Sequence, residues 1–146
     1  MNLTLPVVAG YCMAMLGRNL VAVHRAITAL NDRDVDAYLA VCTPDVELVS
    51  PIAPIEGVNT GQEGIRAFFS GIEEAATIFQ LEVEELQPVS ANRVLALVRL
   101  AFESKGGVSL ATQPVGSVYD LVGGKIRRVR VYLDRAEALE AAGLRD

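Results

Sequence analysis

A chain of 146 residues, 51% hydrophobic and 21% charged, is long enough for one domain with a buried core and too apolar for a disordered segment. A net charge of −5, from 13 Lys and Arg against 18 Asp and Glu, leaves no cationic footprint for nucleic acid, so no nucleic-acid partner is expected. Two cysteines, Cys12 and Cys42, and a single histidine, His24, supply neither a disulfide framework nor a metal-ligand set; no metal and no cofactor is expected, and the cytoplasm is the default compartment.

Residues 1–17 carry no charge, and Leu5 to Leu16 is apolar. No basic residue precedes the run, as a signal peptide would require, and it is too short to cross a bilayer. It reads as an extension that packs on its own domain or on a partner subunit, with the domain proper over 18–146 and no membrane partner. From Asn19 to Leu30 the apolar residues Leu20, Val23, Ile27 and Leu30 recur every three or four positions, which predicts an amphipathic helix. Asn31-Asp32-Arg33-Asp34 breaks it, and Asp34 is a good N-cap for a second helix over Val35 to Cys42, closed by Pro44. Val46 to Ser50 alternates as a strand, and Pro51, Pro54 and Gly57 mark a loop.

Thr60 and Glu63 fit a capping box opening a third helix, Gly61 to Ala76, with Ile65, Phe68, Phe69 and Ile72 on one side. The period then changes to two. Phe79, Leu81 and Val83 alternate with Gln80, Glu82 and Glu84. Arg93 to Glu103 is a long apolar run turned by Lys105-Gly106-Gly107. Val108 to Val122 follows, interrupted at Pro114 by a predicted bulge. Gly123-Gly124 is a hairpin turn, not a phosphate loop, and leads into a last strand over Lys125 to Leu133. Asp134 caps a terminal helix from Arg135 that Gly143 stops. Helices followed by antiparallel hairpins predict an α+β domain.

The hairpin Val118-Tyr119-Asp120-Leu121-Val122-Gly123-Gly124-Lys125-Ile126, the strand and helix after it, Leu30 to Ala37, and Asp45-Val46-Glu47-Leu48 carry a family likeness. Together they resemble the SnoaL-like branch of the nuclear-transport-factor-2-like superfamily, over roughly Asn19 to Leu144. The resemblance implies a cone of about three helices packed on a strongly curved, mostly antiparallel sheet. The concave face would look into a pocket and the convex face would join a second copy. Alternation sets Val98, Leu100 and Phe102 against Arg99, Ala101 and Glu103, and Val129, Val131 and Leu133 against Arg128, Arg130 and Tyr132; Ser117, Tyr119 and Leu121 go together. With the apolar sets concave, the expected pocket lining is Tyr38, Ser50, Phe68, Val98, Leu100, Phe102, Gln113, Ser117, Tyr119, Val129, Val131 and Leu133, around a small apolar molecule. Arg99, Arg128 and Arg130 with Glu82, Glu84 and Glu103 are expected to pair across strands on the convex face. Leu95, Leu97 and Tyr132 nearby make that face the expected homodimer surface.

The resemblance also says where catalytic groups would stand. Ketosteroid isomerases need a carboxylate base, a tyrosine and a protonated aspartate. Motif matching places these at Ser50, Ala26 and Ser117, none of which supplies the required group. The limonene-epoxide-hydrolase arrangement would put its arginine at Arg99, but its aspartates fall on Ala101 and Val131. The acid of the polyketide cyclases also falls on Val131. No catalytic residue is identified. Three readings stay open: a binder of a small apolar molecule; an isomerase, cyclase or hydrolase using other residues; and a ligand-free dimerisation module.

Overall fold

A computed structural model describes residues 13–51 and 57–144; the segment from Leu3 to Tyr11 and the loop residue Pro54 lie outside them. Helix α1 runs Met13–Asp32, starting six residues before Asn19. Leu16 extends the same three-and-four spacing back by one turn and is buried, which explains the earlier start. The helix therefore begins inside the stretch expected to be an extension. Its inner face is built largely of small residues: Ala22, Ala26 and Ala29 are buried beside Val23, Ile27 and Leu30.

Asp34 caps α2 (Val35–Ala40) by accepting from the Ala37 N–H at 3.1 Å. The helix stops two residues early, and the chain enters strand β1 (Cys42–Val49) with Pro44 inside it. Proline is tolerated there because the pairing of β1 with the last strand shifts register between Cys42 and Glu47. A short strand β2 (Asn59–Thr60) pairs with Leu48 and Glu47. The expected capping box does not form, although Thr60 stands at the N-cap position. Thr60 is held extended opposite Glu47 and makes no side-chain cap to α3 (Gly61–Ala75).

Strands β3 (Ala76–Ser90), β4 (Arg93–Ser104), β5 (Ser109–Val122) and β6 (Lys125–Tyr132) form a meander, followed by α4 (Arg135–Ala142), which Asp134 caps by accepting from the Ala136 N–H at 2.8 Å. The six strands lie in the order β2-β1-β6-β5-β4-β3, antiparallel except that β1 pairs with β6 in parallel. The expected irregularity near Pro114 is present as a register shift just before it, between the partners of Leu100 and Phe102.

The main core lies between one sheet face and helices α1, α2 and α3. Val94, Ala96 and Val98 of β4 and Val115, Tyr119, Leu121, Ile126 and Val129 of β5 and β6 face those helices. The opposite, convex face has its own small core, Leu95 and Val118 under Ala138 and Ala142 of α4. Gly116 marks the closest approach, since a Cβ there would sit 2.5 Å from the Ala138 Cβ. Arg135 fixes the start of α4. Its Nε donates to the Val115 carbonyl at 3.3 Å, its Nη2 to the Val98 carbonyl at 2.9 Å, and it ion-pairs with Glu84. Val98 lies beside the β3 bulge between Val83 and Glu85, and Val115 lies one residue beyond the last β5–β6 pair. The guanidinium thus serves carbonyls where the ladder is irregular.

Two expectations about the convex face change. Leu95, expected to be left for a partner subunit, is covered by the chain's own α4, with Leu97 and Tyr132 packed beside it. Arg128 and Arg130 reach Glu47 (3.0 Å) and Asp120 (3.4 Å) instead of carboxylates on β3 and β4; only Arg99 pairs as expected, with Glu84 at 3.8 Å. Such partners depend on which strands become neighbours, which short-range pattern does not encode.

Candidate functional site

The register lines the helix-facing residues into rows across the sheet. The innermost is Pro88, Val94, Tyr119 and Val129; the next is Leu86, Ala96, Ser117 and Val131. Then come Val83, Val98 and Val115, and after them Leu81, Leu100 and Gln113. Phe79 and Phe102 pair at the outer end. None of the residues in these rows is charged.

The expected pocket residues divide by depth along these rows. Tyr38 (2% exposed), Val98 (2%), Ser117 (7%), Tyr119 (5%) and Val129 (2%) lie in the packed interior. The small side chains of Ala22, Ala26, Ala29 and Ala96 let α1 sit close to the sheet there, so side chains fill the deep end. Phe68, Leu100, Phe102 and Val131 are half-buried against the edge of that core. Ser50, just past the end of β1, is half-buried, and Gln113 is exposed opposite Leu100. Leu133 does not join them: β6 ends at Tyr132, and Leu133 is 62% exposed. Phe79, Leu81 and Val83 were not expected in the lining, yet they pack half-buried beside Leu100 and Phe102. Their period of two marked them as a strand; only the β3–β4 register brings them to this wall.

Aromatic contacts join the helices to one another and to the outer strand. Tyr38 meets Phe69 edge-on at 5.4 Å, and Phe69 meets Phe68 edge-on at 6.5 Å. Arg33 stacks over Phe79 at 5.3 Å and donates to the Phe79 carbonyl at 2.9 Å, holding the outer strand from behind.

The interior hydroxyls are kept neutral. Burial pushes the Tyr119 hydroxyl well above its ordinary value, against the pull of a hydrogen bond from Ser117 and with Cys42 nearby adding to the rise. Burial does the same to Tyr38, reinforced by Tyr119 and Cys42. The Cys42 thiol, which donates to the Tyr38 carbonyl at 3.2 Å, is pushed up by burial to about 12, with Lys125 pulling the other way. A thiol held this way is not a nucleophile near neutral pH. At the isomerase positions Ala26 is buried within α1, Ser117 lies under the helices and Ser50 sits at the strand end. His24 is exposed on α1.

Two clefts lie outside the sheet rows. One, of 350 Å³, is lined by Asp36, Leu39, Ala40, Cys42, Thr43, Pro44, Gln62 and Arg66. The other, of 470 Å³, is lined by Arg33, Val35, Arg66, Phe69, Ser70, Glu73 and Glu74. No residue of β3 to β6 lines either. Among the described residues no helix is long and apolar enough to cross a membrane.

The family model described as a SnoaL-like domain matches residues 23–129. No curated protein matches the sequence. An NTF2-like protein of unknown function from Burkholderia pseudomallei superposes with a TM-score of 0.73 at 24% identity, over 84% of this chain and 95% of that one. TerC, co-crystallised with polyporic acid, superposes with a TM-score of 0.72 at 23% identity, over 86% and 98%. A Mycobacterium tuberculosis protein in complex with estradiol-17β-hemisuccinate superposes with a TM-score of 0.67 at 23% identity, over 79% and 92%. At these identities the superpositions establish a common fold.

Proposed function

The chain belongs to the SnoaL-like domain family, and from that premise we propose that it binds a small apolar molecule at the open end of its cone. The observation that carries this reading is the half-buried row of apolar side chains Phe79, Leu81, Val83, Leu100, Phe102 and Val131, with Arg33 stacked on Phe79 at its outer end. Covering such a row with a ligand removes apolar surface from water at about 25 cal/mol per Å². Gln113 and Ser50 are the polar groups placed to orient the ligand. Two structural relatives were crystallised with small organic molecules, polyporic acid and estradiol-17β-hemisuccinate. Binding proceeds without the catalytic groups of the isomerases, cyclases and epoxide hydrolases, because Ser50, Ala26, Ser117, Ala101 and Val131 stand in their places.

Homodimerisation through the convex face and residence in the cytoplasm belong to the same proposal. With Leu95 under α4, the dimer surface would rest on the charged strip of Arg99, Arg128 and Arg130, and sedimentation at micromolar concentration should give twice the 15.6 kDa chain mass.

The binding test is a titration with Nile red, a neutral apolar dye. Saturable binding is expected for the native chain, and Leu100→Asp and Phe102→Asp should each weaken it by about tenfold or more, because a carboxylate must then be desolvated against the dye. Equal binding by the native chain and both variants would remove the site from the cone opening. A second reading, a dimerising module without ligand, draws on the filled deep end around Tyr38, Ser117 and Tyr119. No saturable dye binding together with a stable dimer would favour it.

A further inference from the structure

The 350 Å³ cleft between α2, the start of β1 and the first half of α3 has no part in the cone. Its floor is apolar, from Leu39, Cys42 and Pro44, and its polar rim carries Gln62 and Arg66. The Arg66 guanidinium donates to Asp36 at 2.8 Å, but this is a loosely held pair, with the arginine side chain 44% exposed and the aspartate 81% exposed. Exposed pairs of this kind contribute little, so the aspartate gives way to another carboxylate at small cost. Outside the lining, Lys125 donates to the backbone carbonyl of Ala40, a residue of the cleft. The Thr43 hydroxyl is turned to Asp45 at 2.8 Å and leaves the rim to Gln62 and Arg66.

We propose that this cleft binds a small carboxylate with a short apolar body. The carboxylate takes the place of Asp36 on Arg66, where the planar fork accepts two parallel hydrogen bonds, and the Gln62 carboxamide supplies a further donor. The apolar body lies on Leu39, Cys42 and Pro44. Arg66 also borders the 470 Å³ cleft, but Glu73 and Glu74 line that side and repel an anion. Charge therefore directs the ligand to the first cleft. The two proposed sites share none of the residues on which either depends, so the failure of one leaves the other standing.

The experiment is calorimetric titration of the full chain with hexanoate, hexanol and hexylamine at neutral pH and low salt. Hexanoate should bind roughly two- to fivefold more tightly than hexanol, and hexylamine more weakly than either. Arg66→Gln should erase the difference between acid and alcohol. Asp36→Asn should tighten hexanoate by roughly two- to fivefold, because the competing carboxylate is gone. Amide shifts in the bound protein should centre on Leu39, Thr43 and Gln62. Equal binding of acid and alcohol, an Arg66→Gln protein that keeps the preference, a weaker Asp36→Asn protein, or shifts centred on Phe102 would each overturn the proposal. Both substitutions fall on exposed side chains, so folding is expected to survive, and a melting curve checks it. If Arg66→Gln melts early, the direction of the Asp36→Asn change decides alone.

Discussion

Asn31 and Leu81 are bound to each other twice: the Asn31 carboxamide donates to the Leu81 carbonyl and accepts from the Leu81 N–H, each at 2.8 Å. Strand β3 is the edge of the sheet, and among the described residues Leu81 has no strand beyond it to pair with. One side chain at the end of α1 thus does the work of a neighbouring strand. Asn31→Ala removes both bonds and is expected to destabilise the chain by about 1–3 kcal/mol, read from urea unfolding. Asn31→Asp keeps the acceptor and loses the donor, and should fall between. An Asn31→Ala protein as stable as the parent would show that water serves Leu81 equally well.

Gly116 and Ala138 make a second sharp test. Gly116→Ala forces two Cβ atoms to 2.5 Å and should destabilise by about 1–3 kcal/mol as α4 is pushed off the sheet. Adding Ala138→Gly reopens the space and should recover a large part of the loss. The coupling of the two changes in a double-mutant cycle is the measurement; simple additivity would mean that α4 is not seated at this point.

Alkaline pH should weaken the fold in a defined window. The Cys42 thiol ionises near 9.0 when free and near 12 when buried, so its folded value is raised. Below pH 9 both states hold the proton and stability is unchanged by it; as pH climbs from about 9 towards 12 the unfolded chain releases the proton first and stability falls. Tyr38 and Tyr119, also raised by burial, steepen the fall above their ordinary value of 10.0. A Cys42→Ala protein should lose less stability between pH 9 and 10, by about 1 kcal/mol over that unit. Identical slopes for both proteins would place the thiol in water.

Steroid isomerisation should be absent. The positions at which the family resemblance expects the base and the oxyanion donors, 50, 117 and 26, hold serine, serine and alanine. A β,γ-unsaturated ketosteroid should convert no faster than in buffer, followed by absorbance of the conjugated product. Turnover at enzyme rates would mean that other residues supply these roles.

Signals that act within a few residues were readable. Asp34 and Asp134 cap their helices, and the Val98-Leu100-Phe102 alternation faces the core. What escaped the sequence depends on distant partners. Thr60 stands at the N-cap of α3 without a side-chain cap and pairs with Glu47 instead, and Pro44 lies inside β1 where the β1–β6 register breaks. Arg135 reads as an ordinary first-turn residue, because the carbonyls it serves lie 20 and 37 positions away. For the candidate site, alternation put Tyr119 and Val131 on the helix-facing side of the sheet, where both pack on the main core; that the first is buried and the second half-buried depends on the packing of distant elements and was not readable.

The parallel contact of β1 with β6 bears on how the chain is made. Cys42 pairs with Ile126, and Val49 with Arg130, so the first long strand has no neighbour within the meander until the sixth strand exists. During synthesis β1 must wait for that partner while some 75 further residues are translated, several seconds at about 5–20 residues per second. The β3–β4–β5 hairpins can close first, from neighbouring contacts, and offer the surface on which α1 settles, whereas β1 docks only once β6 has been made. Substitutions in β6 should therefore depress the yield of folded protein more than their effect on the finished molecule would imply.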